Sequence, residues 1–383
     1  MKSTSGIVSQ KVPILRTKVF FWIGKITAGL ASTTREILKG KSTSRPPLLV
    51  IEAGRIGWTS LFYSELYESA RDYLAPGRVI ISTIDRSKNY SKQSLKFLLQ
   101  VRPTHFCFDP RTGSQKFLPA IFQTMVLTFL ISFLRISPIV ILTDASVRLW
   151  RYQVFLLTAK SGIIVTFLDP KEMGNLIPHE RIIGPMFMPI SISTLNKLQP
   201  KAFSILESQD FESFIHFVGS LYPLRRQFLL EVNHYLSNLS SNREIVIEEK
   251  SEKISNHDYW TKLKSFKAVV TTTRQNTNPD YAQDRLDINQ MVFRISESLA
   301  AGQLVFAEKV PGMEKYFIAG EDFVECNDSE DAATKIIHYF RNQSEAYKIA
   351  IKGHSKYAGF INDLVFWKTI DSVLHSKLFI KEQ

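Results

Sequence analysis

Phe117-Leu-Pro-Ala-Ile-Phe-Gln-Thr-Met-Val-Leu-Thr-Phe-Leu-Ile-Ser-Phe-Leu134 carries no charge, and the apolar run Ile139-Val140-Ile141-Leu142 follows within a few residues. What these two stretches face decides the fold. The first is at the lower edge of the length needed to span a bilayer. Thr124, Thr128 and Ser132, however, recur at every fourth residue and draw a polar stripe along a helix. Pro119 suits a first helical turn, and Pro138 lies just past the end. The pair therefore reads as a helix feeding a buried strand that ends at Thr143-Asp144, inside an α/β domain, and not as a membrane span.

The same unit repeats outward in both directions. Leu48-Leu49-Val50-Ile51 is a short β-rich run, followed by a turn over Glu52–Gly57 and a helix from about Thr59 to Tyr73. Val79–Ser82, His105–Phe108 and Ile163–Phe167 are further strands, the second ending before Asp109 and the third before Asp169-Pro170. Strands alternating with helical spans indicate βαβ units and a parallel sheet. Burial on both faces explains why the strands are continuous apolar runs and do not alternate with polar residues. A connection rich in proline, serine and threonine then runs from Gly184 to Pro200. A second α/β series has strands at Ile215–Gly219, Ile245–Ile247, Ala268–Thr271 and Leu304–Ala307. Two such sheets leave a gap at their C-terminal strand ends, where ligands of these folds bind.

Composition agrees with this. The chain has 383 residues, 44% hydrophobic and 22% charged, which is globular and long enough for two domains. Cys107 and Cys326 are too few and too far apart for a disulfide framework or a CxxC metal knuckle, so a reducing compartment is expected. The net charge is +12. Residues 1–47 hold nine Lys or Arg and one acid, Glu36, so most of the excess sits in the leader. There Leu15, Val19, Trp22, Ile23, Ile26 and Leu30 recur at helical spacing, with Lys18 and Lys25 on a more polar side. Such a helix suits an anionic membrane surface; packing on the domain with a loose basic tail is the alternative. Lys18 and Lys25 interrupt the apolar stretch, so it is not a signal peptide.

The second series contains Arg294-Ile-Ser-Glu297-Ser-Leu-Ala-Ala-Gly302, a strand through Glu308, and then Val310-Pro311-Gly312-Met-Glu-Lys-Tyr-Phe317-Ile-Ala-Gly320. Phe217-Val218-Gly219-Ser220-Leu221-Tyr222-Pro223-Leu224-Arg225 precedes it, as does Tyr259 four residues before Leu263 and a strand. This ordered set resembles the nucleotide-sugar-binding domain of group 1 glycosyltransferases of the GT-B fold, most closely the CgeB-like branch. The resemblance covers about residues 212–360.

The resemblance implies α/β architecture with two Rossmann-like domains facing across a cleft. Residues 1–46 would be a basic, partly helical leader and 47–190 an acceptor-side domain. Residues 191–211 would be the linker, 212–360 the donor domain, and 361–383 a C-terminal helix returning to the first domain. The activity implied is sugar transfer, of hexosyltransferase type, from a nucleotide-sugar donor to an unknown acceptor (a glycan, lipid or protein). From the cysteine usage and the basic leader, and not from the resemblance, a cytoplasmic place is expected, with a peripheral position at the inner membrane face through residues 10–40; nucleic acid is not expected as a partner.

The chemistry is coherent. Backbone N–H groups at a glycine turn or helix N-terminus suit phosphates. A carboxylate accepts both ribose hydroxyls, and an arginine offsets the charge that builds on the leaving diphosphate. By resemblance, Glu297 binds ribose, Gly219 lies in the phosphate-facing loop and Arg225 contacts the diphosphate, with Arg226 as substitute. Arg294 and the Glu308–Gly312 loop line the donor pocket. The alternatives are a tight turn at Gly219, a solvated charge at Arg225 and a helix-surface pair at Glu297.

One position departs from the pattern. Related retaining enzymes carry two glutamates with seven residues between them, and here the first position is Asn289. An amide cannot carry the negative charge, so a non-catalytic GT-B-like nucleotide-binding or scaffold protein is the alternative function.

The catalytic base is expected from the first domain. Asp144 is first choice, with Asp85, Asp109 and Glu52 at similar strand ends. Gly54-x-x-Gly57 lacks a full dinucleotide fingerprint. His179-Glu180 reads as a surface pair, and Tyr339, Phe340 and Tyr347 as packing aromatics. No HExxH, D-x-D or G-x-S-x-G occurs. A metal-independent transferase with no cofactor, in which protein cations and helix ends do the work of a metal, is therefore the expectation.

Overall fold

The computed structural model describes residues 14–37, 48–52, 60–75, 77–82, 96–108, 117–142, 158, 162–171, 181–198, 211–219, 221, 223–240, 243–249, 256–273 and 289–374. Two all-parallel sheets dominate it. The first contains β1 (Leu49–Glu52), β2 (Val79–Ser82), β3 (His105–Phe108), β4 (Ser137–Leu142), β5 (Ile163–Thr166) and β6 (Ile182–Ile183), in the order β2-β1-β3-β4-β5-β6. The second contains β7 (Ile215–Gly219), β8 (Val246–Glu249), β9 (Ala268–Thr271), β10 (Leu304–Glu308) and β11 (Val324–Cys326), in the order β11-β10-β9-β7-β8. Every residue of β3, β5, β7, β9 and β10 is buried, as strands covered on both faces require.

The helices are α1 (Ile14–Ile37), α2 (Ser60–Tyr73), α3 (Phe117–Leu134), α4 (Ile192–Leu198), α5 (Phe211–Phe214), α6 (Pro223–Leu239), α7 (Asn256–Leu263), α8 (Phe293–Ala300), α9 (Ser329–Arg341), α10 (Gln343–Asn362) and α11 (Val365–Val373). One apolar cluster backs the second sheet, from Phe228 and Val232 of α6 to Ile336 and Phe340 of α9. Another backs the first, through Leu127, Leu130 and Ile131 of α3. A third runs through both halves, joining Ile51, Ile139 and Val165 to Val269, Leu299 and Val305.

The connection holds more structure than its composition suggests. Residues 192–198 form α4, and Glu65 of α2 fixes its first turn. The buried Glu65 carboxylate accepts from Ser191 N at 2.9 Å, Ser191 Oγ at 3.1 Å and Thr194 Oγ1 at 2.9 Å. Burial raises its pKa despite these donors. Asp72 Oδ2 accepts from Ile192 N at 2.7 Å. Phe187 is wholly buried against Tyr316 and Phe360, with ring centroids 5.2 and 5.4 Å away. At the end of the described chain, Trp367 Nε1 on α11 donates to Ser69 Oγ on α2 at 3.0 Å.

The polar stripe on α3 faces the interior at two of its three positions. Thr124 and Thr128 are buried, and Leu118 and Phe122 face outward. Thr128 Oγ1 donates to the Thr124 carbonyl at 2.8 Å, which removes the penalty of burying the hydroxyl. Among the described residues, no helix is long and apolar enough to cross a membrane.

Candidate functional site

β7 is flanked by β8 on one side and β9 on the other, so the strand order reverses at this strand. The crevice beyond the carboxyl end of such a strand is where ligands of open parallel sheets bind. Gly219 is that end. The N-terminus of α6 follows at Pro223, whose fixed φ suits a first turn and whose missing N–H costs nothing there.

Gly219 has φ 156, and a Cβ built on it would lie 2.8 Å from Arg294 Nη2. Glycine is therefore required by close approach as well as by backbone conformation. Arg294 comes from the first turn of α8. Its Nη2 donates to the Val218 carbonyl, and its Nη1 donates to Tyr259 Oη of α7 at 2.6 Å. Tyr259 Oη in turn donates to Glu297 Oε2 at 2.8 Å, and Arg294 Nη1 lies 3.7 Å from the same oxygen. Glu297 is buried one turn along α8 from Arg294.

The electrostatics are mutual. Burial lowers the basicity of Arg294, but Tyr259 and Glu297 outweigh it and raise its pKa. Burial pushes Tyr259 well above the ordinary phenol range; Arg294 opposes this and Glu297 adds to it. At neutral pH the tyrosine is a protonated donor between a guanidinium and a carboxylate, an arrangement in which each buried group is satisfied.

The Phe217 ring lies beneath two cations. Arg225 Cζ is 5.6 Å from its centroid and Arg294 Cζ 5.5 Å, within cation–π range. Gly219, Arg225, Arg294 and Glu297 thus meet around Phe217 and Tyr259. Arg225 is half-buried on the first turn of α6, whereas Arg226 is exposed.

Two other expected donor residues have different surroundings. Glu308 ends β10, where its carboxylate accepts from Thr272 Oγ1 and, at 3.3 Å, from Thr273 N. Gly312, with φ 83, is pressed against the connection: a Cβ there would lie 2.7 Å from Pro185 Cγ. Asn289 Nδ2 donates to the Lys309 carbonyl at 2.7 Å, a bond that ties the segment before α8 to the Glu308–Gly312 loop. An acid at 289 could not donate it.

Asp144, Asp85, Asp109, Gly54, Gly57, His179 and Glu180 lie outside the described residues, as does the Glu52 side chain. Phe340 packs in the second core against Phe211 and Phe214, and Tyr339 lies beside Phe306. Sequence reasoning missed Tyr259 and Phe217 as members of the site. The available signal for Tyr259 was its fixed place four residues before Leu263, which reads equally well as core.

The family model described as glycosyl transferase-like matches residues 224–359. The matched stretch includes Arg225, Arg294 and Glu297 and begins five residues after Gly219. A search of curated proteins gives no match. Among solved structures, the chain is similar to HepE of Anabaena in complex with UDP-glucose, at 12% identity and TM-score 0.51, covering 85% of this chain and 99% of that one. It is similar to a glycosyltransferase from Rickettsia africae at 11% identity and TM-score 0.54, covering 87% and 100%. Both likenesses establish the architecture: an α/β chain of two parallel sheets in the GT-B arrangement.

Proposed function

We propose that the protein is a glycosyltransferase that moves a sugar from a nucleotide-sugar donor, bound beyond β7, to an acceptor approached from the first sheet. The observation that carries this is the convergence of Gly219, Arg225, Arg294 and Glu297 where the strand order of the second sheet reverses. The matched family domain supports it, as does the UDP-glucose held by HepE, a protein of the same fold. Within the class, the series from Arg294 to Gly320 favours the CgeB-like branch.

In the transfer, the bond between the sugar anomeric carbon and the diphosphate oxygen breaks, and a bond to an acceptor hydroxyl oxygen forms. Negative charge builds on the departing diphosphate. Arg225 and the N–H groups at the start of α6 meet that charge. Arg294 has a different part. Its two terminal nitrogens are committed to Val218, Tyr259 and Glu297, so it braces the Gly219 turn and aims the carboxylate. Glu297 accepts the ribose hydroxyls. Asp144, two residues past the end of β4, takes the acceptor proton, and no metal takes part.

The direct test is thermal stabilisation by uridine and guanosine diphosphates, followed by turnover against a panel of nucleotide sugars. One nucleotide should raise the melting temperature of the wild type, and Glu297→Gln, which keeps shape and removes charge, should abolish most of that shift. A full shift in the variant would overturn the ribose assignment. Nucleotide binding with no turnover of any donor would favour a non-catalytic nucleotide-binding role.

A further inference from the structure

We propose that α1 and α3 together form a docking surface for an anionic lipid bilayer, on which the protein rests without crossing it. This rests on different residues from the sugar-transfer reading and does not depend on it.

The outer face of α1 is apolar, where a helix facing water carries polar side chains. Val19, Trp22, Ile26, Leu30 and Ile37 are all exposed, Trp22 by 64% and Leu30 by 60%. Their spacing of three, four, four and seven residues puts them on one face. The inner face holds Phe20, Phe21 and Ile23, half-buried, and the buried small residues Thr27, Ala28 and Ala31. These allow close packing on α3, where Phe20 and Ile23 meet Ile121 and Met125. A helix packed on one side and bathed in water on the other carries polar side chains outward; α1 carries a second apolar row there.

The neighbouring helix, whose Leu127, Leu130 and Ile131 pack in the core, also exposes large apolar residues near its start. On α3, Thr124 and Thr128 are buried, whereas Leu118 is 76% and Phe122 65% exposed. Leu118 and Phe122 flank Ile121, the residue that contacts α1. Two adjacent helices thus present large apolar side chains to the outside, which is more than scattered exposure accounts for. From Val19 to Ile37 the ridge is about 27 Å long at the helical rise, a length suited to lying in the plane of an interface.

Charge selects the occupant. The first 47 residues carry nine Lys or Arg and a single Glu. Lys25 stands exposed beside the ridge, its ammonium 4.9 Å from the Phe21 ring centroid. A second copy would bring the same excess of positive charge and be repelled. Anionic headgroups neutralise it while their acyl chains accept the ridge.

The test is co-sedimentation of the full chain with vesicles of phosphatidylcholine containing phosphatidylglycerol, and with vesicles of phosphatidylcholine alone. The wild type should partition to the anionic vesicles and be released by salt. Trp22→Glu with Leu30→Glu, and separately Phe122→Glu, should each lower the partition coefficient by ~10-fold or more. Unchanged circular dichroism and melting would show that these surface variants fold. Three results would overturn the proposal: no binding of the wild type to anionic vesicles, equal binding to neutral ones, or undiminished binding by the folded variants. A change from dimer to monomer in the variants, with vesicle binding unaltered, would assign the ridge to a second copy instead.

Discussion

Gly219 and Arg294 are so close that a single methyl group cannot be placed between them: the Cβ of an alanine at 219 would meet Nη2 at 2.8 Å. The guanidinium cannot simply retreat, because both ends of it are bonded. Gly219→Ala should therefore displace Arg294 and the turn together, at a cost of about 1–3 kcal/mol. Calorimetric titration with the stabilising nucleotide should show affinity down by ~10-fold or more, since phosphate recognition by a backbone turn depends on its geometry. Unaltered affinity would separate this turn from the donor.

Removing one oxygen atom tests the bridge between the two charges. Tyr259→Phe deletes the donor to Glu297 and the acceptor for Arg294. Loss of that buried shared partner should cost about 1–3 kcal/mol. If Tyr259 acts by positioning Glu297, the effects of Tyr259→Phe and Glu297→Gln on nucleotide affinity will be less than additive in a double-mutant cycle. Strict additivity would contradict a positioning role.

Acid should weaken the fold through His216. It is buried on β7, stacked on Phe266 at 3.6 Å, with no hydrogen bond to either ring nitrogen; the Glu248 carboxylate is 3.6 Å from Nε2. Burial, then Lys262 and Arg294, lower its pKa to about 4. The unfolded chain binds this proton below about 6.5, whereas the folded chain does not until about pH 4. Stability is thus complete above the first value and is lost as pH falls towards the second. The slope from this residue is at most about 1.4 kcal/mol per pH unit. His216→Phe should flatten the pH dependence of the unfolding midpoint between 6.5 and 4; an unchanged slope would assign it to other groups.

Trp367 anchors the last described helix to the first sheet's side of the molecule. It is 1% exposed, and its indole N–H is bonded to Ser69. Trp367→Ala should cost about 3–5 kcal/mol, and Trp367→Phe, which keeps most of the volume, clearly less. Denaturant unfolding with constant m-values would measure both. A near-neutral alanine variant would mean that α11 is dispensable.

Transfer should survive exhaustive EDTA treatment, because the role of a metal is assigned to Arg225 and the start of α6. Asp144→Asn should lower kcat by at least ~100-fold while leaving nucleotide affinity unchanged, the range for loss of a general base. Activity restored only by added Mg²⁺ or Mn²⁺ would refute metal independence, and a fully active Asp144→Asn would move the base elsewhere.

How much was legible in the sequence depended on which force set each element. Strands such as Ile139–Leu142 are buried on both faces, and their unbroken apolar runs announce it. The meeting of Gly219, Arg294 and Glu297 could be anticipated because their types recur in order. Tyr259 could not, since an aromatic on a short helix gives no sign of whether its hydroxyl is bonded to a charge. The close approach of Gly312 to Pro185 could not be read from sequence, since the two lie far apart along the chain. The threonine stripe on α3 marked a helix, but its direction was not legible. A hydroxyl that bonds its own helix can be buried, so polarity alone did not say which side faces water.

The apolar cluster that joins Ile51 and Val165 to Leu299 and Val305 makes the two halves thermodynamic partners as well as neighbours. Neither half has a complete oily interior when cut from the other, and the crossing bonds of Tyr357 to Met188 and Met291 to Phe167 stitch the same seam. Heating should therefore give one cooperative calorimetric peak.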